Sequence, residues 1–175
     1  MSLNVLSEAA FLKIRVEANR TFESYLPLFL ESPDPKLINN IARHFERVKR
    51  KHVIRIKLIK VHTTIAVDQA FNILAENKLY KIGLRQLFAL VEQYPKEMRK
   101  HSTVIAGYPE IRTKHNRLDE DRVQYENEIP CVYSKIGKFT LSLRYYDFGI
   151  TGIGGYQHFA NFRKGDCIAV SVGKI

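Results

Sequence analysis

Val53-Ile54-Arg55-Ile56-Lys57-Leu58-Ile59-Lys60-Val61 reads as a β-strand. It is rich in β-branched residues. Ile54, Ile56 and Leu58 alternate with Arg55, Lys57 and Ile59, the period of two that a strand imposes on a half-covered sheet. Upstream, Leu37, Ile38, Ile41, Ala42, Phe45 and Val48 recur at helical spacing. Asp34 stands as the N-cap and Pro35 at the first helical position, and the spacing predicts a helix to about Lys49. Before the break at Ser32-Pro33-Asp34-Pro35, the spacing of Phe11, Ile14, Ala18 and Phe22 predicts a further helical face within residues 1–32.

Downstream, Val67, Ala70, Phe71 and Leu74 mark one helix, and Leu84, Leu87, Phe88 and Val91 a second that opens after Gly83 and ends at Tyr94-Pro95. Thr103–Ala106 reads as a short buried strand. Pro109–Glu128 is the most polar stretch and reads as a surface loop or a long hairpin connection. Ile129–Tyr133 and Phe139–Tyr145 flank a turn at Gly137, and Tyr156–Phe162 with Cys167–Val172 reads as a last hairpin around Gly165-Asp166. Segregated helices and antiparallel strands predict an α+β fold, with N-terminal helices followed by a mainly antiparallel sheet on which two helices pack. The expected division is a helical region at 1–52 and an α+β domain at 53–175, the two also readable as one continuous domain.

The 175 residues carry 28 Lys+Arg against 18 Asp+Glu, a formal net charge of +10, with 45% hydrophobic residues. Such hydrophobicity excludes a wholly disordered chain, and the length suffices for an unstapled core. Cys131 and Cys167 belong to no C-x-x-C pair, which excludes a cysteine-rich zinc site and suits a reducing, cytoplasmic compartment. No apolar run reaches the ~20 residues of a membrane span, and none reads as a signal peptide.

The positive charge is concentrated. Arg43, Arg47, Lys49, Arg50, Lys51, Arg55, Lys57 and Lys60 face a single acid, Glu46, a net of +7 in eighteen residues. Cations gathered on one surface would hold a phosphate backbone, because affinity comes from displaced counterions. DNA or RNA is therefore the favoured partner, and an acidic protein the other. The plainer reading is a solvated helix end and an edge strand protected by lysines. Among the aromatics, Tyr146 falls opposite the Phe139–Tyr145 core positions and is the candidate to stack on a base.

Gly149-Ile150-Thr151-Gly152-Ile153-Gly154-Gly155 lacks the Lys-Ser/Thr ending and the following helix of a phosphate loop. It reads as a flexible connection, and Gly152, Gly154, Gly155, Tyr156 and His158 as a candidate rim of a ligand site. The six histidines show no metal-ligand spacing, the acidic run Asp119-Glu120-Asp121 lacks EF-hand spacing, and neither a metal nor a cofactor is expected. The acidic loop also suits the basic region of a second copy, which leaves a homo-oligomer open. No nucleophile motif appears. A small metal-independent nuclease would need His101, His115 or His158 beside Arg144 and Tyr146.

Ile54–Val61, Val67–Glu76, Leu79-Tyr80-Lys81-Ile82-Gly83-Leu84-Arg85-Gln86-Leu87, Tyr94-Pro95 and Thr103-Val104-Ile105-Ala106-Gly107 together resemble the pattern of a bacterial protein family without an assigned activity. The resemblance departs at Lys81-Ile82-Gly83 and does not reach the first 50 residues. Its layout is similar to that of C-type-lectin-like binding domains, which implies a binding module rather than an enzyme. Three expectations follow: a non-enzymatic nucleic-acid-binding module, a lectin-like protein- or ligand-binding domain, and a small hydrolase.

Overall fold

The computed structural model describes residues 5–29, 35–108, 111–116, 123–148 and 161–173. In chain order the elements are β1 (Leu6–Val16), a 3₁₀ helix (Glu23–Leu28), α1 (Pro35–Ala42), β2 (His52–Val61), β3 (Ile65–Ala66), α2 (Val67–Glu76), β4 (Leu79–Lys81) and α3 (Leu84–Gln93). They continue with α4 (Pro95–Met98), β5 (Thr103–Ile105), β6 (Ile111–Asn116), β7 (Val123–Lys135), β8 (Lys138–Phe148), β9 (Asn161–Phe162) and β10 (Cys167–Val172). The main sheet runs β1-β2-β10-β5-β7-β6, with β4 also on β10 and β8 also on β7. Only the β10–β5 pairing is parallel among those described, so the class is α+β with a mainly antiparallel sheet.

Leu6–Val16 corrects the expectation of a helix in the first segment. It pairs antiparallel with β2 from Leu6↔Val61 to Val16↔His52, with a bulge between Glu8 and Ala10. Phe11 and Ile14, three apart, fall on opposite faces of the strand: Phe11 is 52% exposed and Ile14 fully buried. The alternation that governs here is Leu12, Ile14 and Val16 against Lys13 and Arg15. Residues on both sides of position 52 thus share one sheet and one apolar cluster.

The sheet is covered on both faces, but out of step. On one face Ile14, Val16, Ile56, Leu58, Val104 and Ala169 pack under α3 and the aromatics Phe22, Tyr25 and Phe29. On the other, Leu6, Ile59, Val61, Ile168 and Val170 pack under α2, through Val67, Ala70, Phe71 and Leu74, together with Phe162. Along β2, the α3 face is apolar at Ile54–Leu58 and ends in exposed Lys60. The α2 face is buried only at Ile59 and Val61, leaving Val53 and Arg55 exposed.

One more reading is revised. Cys167–Val172 does not form a hairpin with the preceding strand: β10 enters the middle of the sheet between β2 and β5, while β9 pairs with β3. The fully buried Phe162 ring meets Phe71 at 5.5 Å, and this packing draws β9 away from the main sheet. Of the two forms expected for the polar stretch after Pro109, it takes that of a hairpin, β6 pairing with β7 from Ile111↔Glu128 to Asn116↔Val123. At the turn expected around Gly137, Ile136 and Gly137 both have positive φ (52° and 74°). That is the two-residue geometry favoured in hairpins.

α1 stops at Ala42, short of the expected Lys49, because the chain there turns its one acid inward. Glu46 accepts the Leu84 N–H at Oε1 (2.8 Å) and the Arg85 N–H at Oε2 (3.0 Å), capping α3 from a distant loop. Gln86 Oε1 accepts the Gly83 N–H at 3.0 Å. A Cβ on Gly83 would fall 1.6 Å from Glu46 Oε1, so only glycine lets the carboxylate reach the helix end. Arg85 is 4% exposed. It donates from Nε to the Glu46 carbonyl (2.9 Å) and from Nη1 to those of Glu17 and Arg20 (2.8 Å each), and its guanidinium lies 4.3 Å from the Phe45 ring centre. Burial raises the Glu46 pKa above the usual carboxylate range, opposed by the N–H groups of Arg85 and Leu84 and by the Arg85 charge.

Arg85→Ala leaves three carbonyls and a buried carboxylate without this partner. It should cost about 3 kcal/mol, read as a fall in Tm of roughly 6–12 °C in thermal unfolding. Arg85→Lys should recover little, since an ammonium lacks the planar fork. A fall below about 2 °C for the alanine variant would contradict this role.

Candidate nucleic-acid interface

The eight cations of Arg43–Lys60 do not converge. Arg43, Arg47, Lys49 and Arg50 are exposed along the connection between α1 and β2, and Lys51 pairs with Glu17 (2.8 Å). Lys60 lies on the α3 face of β2, by alternation with Ile56 and Leu58. Only Arg55 and Lys57 share a strand face.

Their companions come from β1. Lys13 stands directly opposite Arg55, Phe11 opposite Lys57, and Arg15 opposite Val53. Directly paired and alternate residues of neighbouring strands project on the same side. One half-face therefore holds Lys13, Arg15, Arg55 and Lys57, together with Phe11 (52% exposed) and Val53 (51%). It is open because α2 reaches only the Ile59–Val61 end of that face. Its acid is Glu8, whose carboxylate pairs with Lys57 (2.6 Å). The Lys57 ammonium lies 5.9 Å from the Phe11 ring centre. Lys13, Arg15 and Arg55 have no acidic partner among the described residues.

A groove of ≈ 430 Å³ runs along this half-face, lined by Lys13, Val53, Ile54, Arg55, Ser171, Val172 and Gly173. It exists because β10 leaves β2 after Ser171↔Ile56, while β2 continues to His52 on β1 alone. Gly173 takes φ 96°, and the Ser171 hydroxyl donates to its carbonyl (2.9 Å), fixing the departure. The outer edge of β1 is closed by side chains from the end of α3. Gln93 accepts the Arg15 N–H (2.9 Å) and donates to its carbonyl (2.7 Å), and the Tyr94 hydroxyl donates to the Lys13 carbonyl (2.8 Å).

Of the other sequence candidates, Tyr146 belongs to β8 by its backbone, but its side chain, like those of Arg144 and His115, lies outside the described residues. Gly152, Gly154, Gly155, Tyr156 and His158 lie outside them as well. His101 is packed beside Glu97, its Nε2 3.7 Å from the carboxylate, and burial lowers its pKa. The Ser7 hydroxyl lies 2.5 Å from His62 Nε2. No group of three or more His, Cys, Asp or Glu side chains with metal-binding geometry occurs among the described residues. No helix among them is long and apolar enough to cross a membrane.

Sequence reasoning passed over Lys13 and Arg15, which sat in a segment read as helix; the signal was the strand alternation of Leu12-Lys13-Ile14-Arg15-Val16. Comparison with protein-family models, curated proteins and solved structures found no match to this chain.

Cys131 and Cys167 are buried in the apolar clusters of opposite sheet faces. Burial foremost, with the nearby Glu97 and Asp166 charges, pushes the Cys167 thiol up to about 12. Alkylation with iodoacetamide at about pH 8 should therefore leave Cys167 unmodified in the folded chain and label it only in denaturant, as read by mass spectrometry. Rapid native labelling would contradict that burial.

Proposed function

We propose that this chain is a non-enzymatic nucleic-acid-binding module whose contact surface is the open half-face of β1 and β2. The observation that carries the reading is the cross-strand pair Lys13 and Arg55. Like charges directly opposite one another cost a sheet stability, and neither has an acid to offset it among the described residues. A polyanion laid along the strands removes that repulsion. With Arg15 and Lys57 the face offers four cations against Glu8, and Phe11 and Val53 give it apolar surface for bases or sugars. The chain's +10 charge supports encounter with nucleic acid at a distance, an effect that weakens with salt. The exposed Arg43, Arg47, Lys49 and Arg50 contribute to that field from outside the contact surface.

Fluorescence anisotropy with a labelled oligonucleotide at several salt concentrations tests the reading. Three to four phosphate contacts predict a slope of log K against log salt of about −2 to −3. Lys13→Glu with Arg55→Glu should abolish binding, while Arg47→Glu with Arg50→Glu should weaken it several-fold at most. Absence of binding at low salt, a flat salt dependence, or an unaffected Lys13/Arg55 variant would each overturn the proposal.

A further inference from the structure

Resting on that reading, we infer that the ligand is a single strand, with one base stacked on Phe11 and the adjoining backbone held at the Lys13–Arg55 groove. A duplex offers no base face, since its bases are stacked on one another, and its major groove admits a helix or a free two-stranded ribbon. The β1–β2 pair is not a free ribbon. β10 continues the sheet along β2 from Ile56 to Lys60, and Gln93 and Tyr94 close the outer edge of β1. Against a duplex this flat face reaches phosphates alone, and Phe11 gains nothing.

A single strand uses every part of the face. Phe11 presents an exposed ring flanked by the Lys57 ammonium, which Glu8 holds in place. Such stacking is tolerant of sequence because every base has a flat face, and a neighbouring cation adds to it. Two residues along the strand, about 7 Å away, Lys13 and Arg55 stand at the mouth of the groove. The groove has the volume of small-ligand sites, whose range begins at about 300 Å³. Its walls combine cations (Lys13, Arg55) with apolar side chains (Val53, Val172), the pairing that a sugar-phosphate with its base requires. The row Phe11, Lys57, Val170, Lys81 continues straight across four strands toward α2, where the Lys81 ammonium lies 4.3 Å from the Phe71 ring centre. The strand's course is therefore along β1 and β2, from the Phe11 row to the groove.

The experiment compares three probes on the intact chain at one salt concentration: a single-stranded thymidine oligonucleotide, a hairpin duplex of matched charge, and a heparin oligosaccharide. The thymidine strand should bind at least tenfold tighter than the duplex. Phe11→Ala should weaken thymidine binding about tenfold and leave duplex and heparin binding unchanged. Phe11→Trp should restore it. Phe11 is exposed, so its loss leaves the core intact, and an unchanged Tm verifies that. Equal or tighter duplex binding, or an unaffected Phe11→Ala variant, would overturn the single-strand inference while leaving the basic-face reading in place. Failure of all three probes to bind would overturn both.

Discussion

The buried guanidinium of Arg85 ties together three segments that are distant in the chain. Its donors satisfy carbonyls at Glu17, Arg20 and Glu46, and the Glu46 carboxylate caps the helix on which Arg85 stands. A charge this deep is tolerable only because each side of it meets an oxygen or an aromatic face. The connection between α1 and β2, the segment after β1 and the N-terminus of α3 all meet there. Because the one acid of the basic segment turns inward at that point, its cationic neighbours Arg43, Arg47, Lys49 and Arg50 are left facing solvent along a loop.

The open basic face arises from a second constraint, the offset between the two helix layers. α3 and its aromatic neighbours cover one face of β2 from Ile54 to Leu58, and α2 covers the other only around Ile59 and Val61. The remainder of the α2 face must tolerate water, so Lys13, Arg15, Arg55 and Lys57 occupy it. Those residues are not spread to lessen their repulsion. Register places Lys13 against Arg55, and the bulge at Glu8/Ala10 sets that register. β10 then turns away at Gly173, opening a groove beside the same two cations. These features together produce one basic, partly apolar surface.

Much of this architecture was legible because it is local. The alternation in Val53–Val61 and the helical spacings around Phe71 and Phe88 each describe an element by itself, and the α+β class follows from their order. What was not legible depends on partners far along the chain. The spacing of Phe11, Ile14, Ala18 and Phe22 fits a helix, and the alternation of Leu12-Lys13-Ile14-Arg15-Val16 prevails over it because β2 lies alongside. Glu46 looked like a lone acid in a basic run, and its partners stand 38 and 39 residues further on. β10 carries an apolar pattern that suits a hairpin as well as a central strand, and only pairing with β2 and β5 decides. The basic segment was recognised by composition, which counts charges without saying which way they point. That Lys13 and Arg15 stand beside Arg55 and Lys57 follows only from the pairing of β1 with β2.

The most direct test of the central claim is an NMR titration of the isotope-labelled chain with a thymidine oligonucleotide, following backbone amides. Shifts are expected at Phe11–Arg15, Val53–Lys57 and the groove residues Val172 and Gly173, and nowhere else. Shifts centred instead on the connection from Arg43 to Lys51, or none at all, would contradict it.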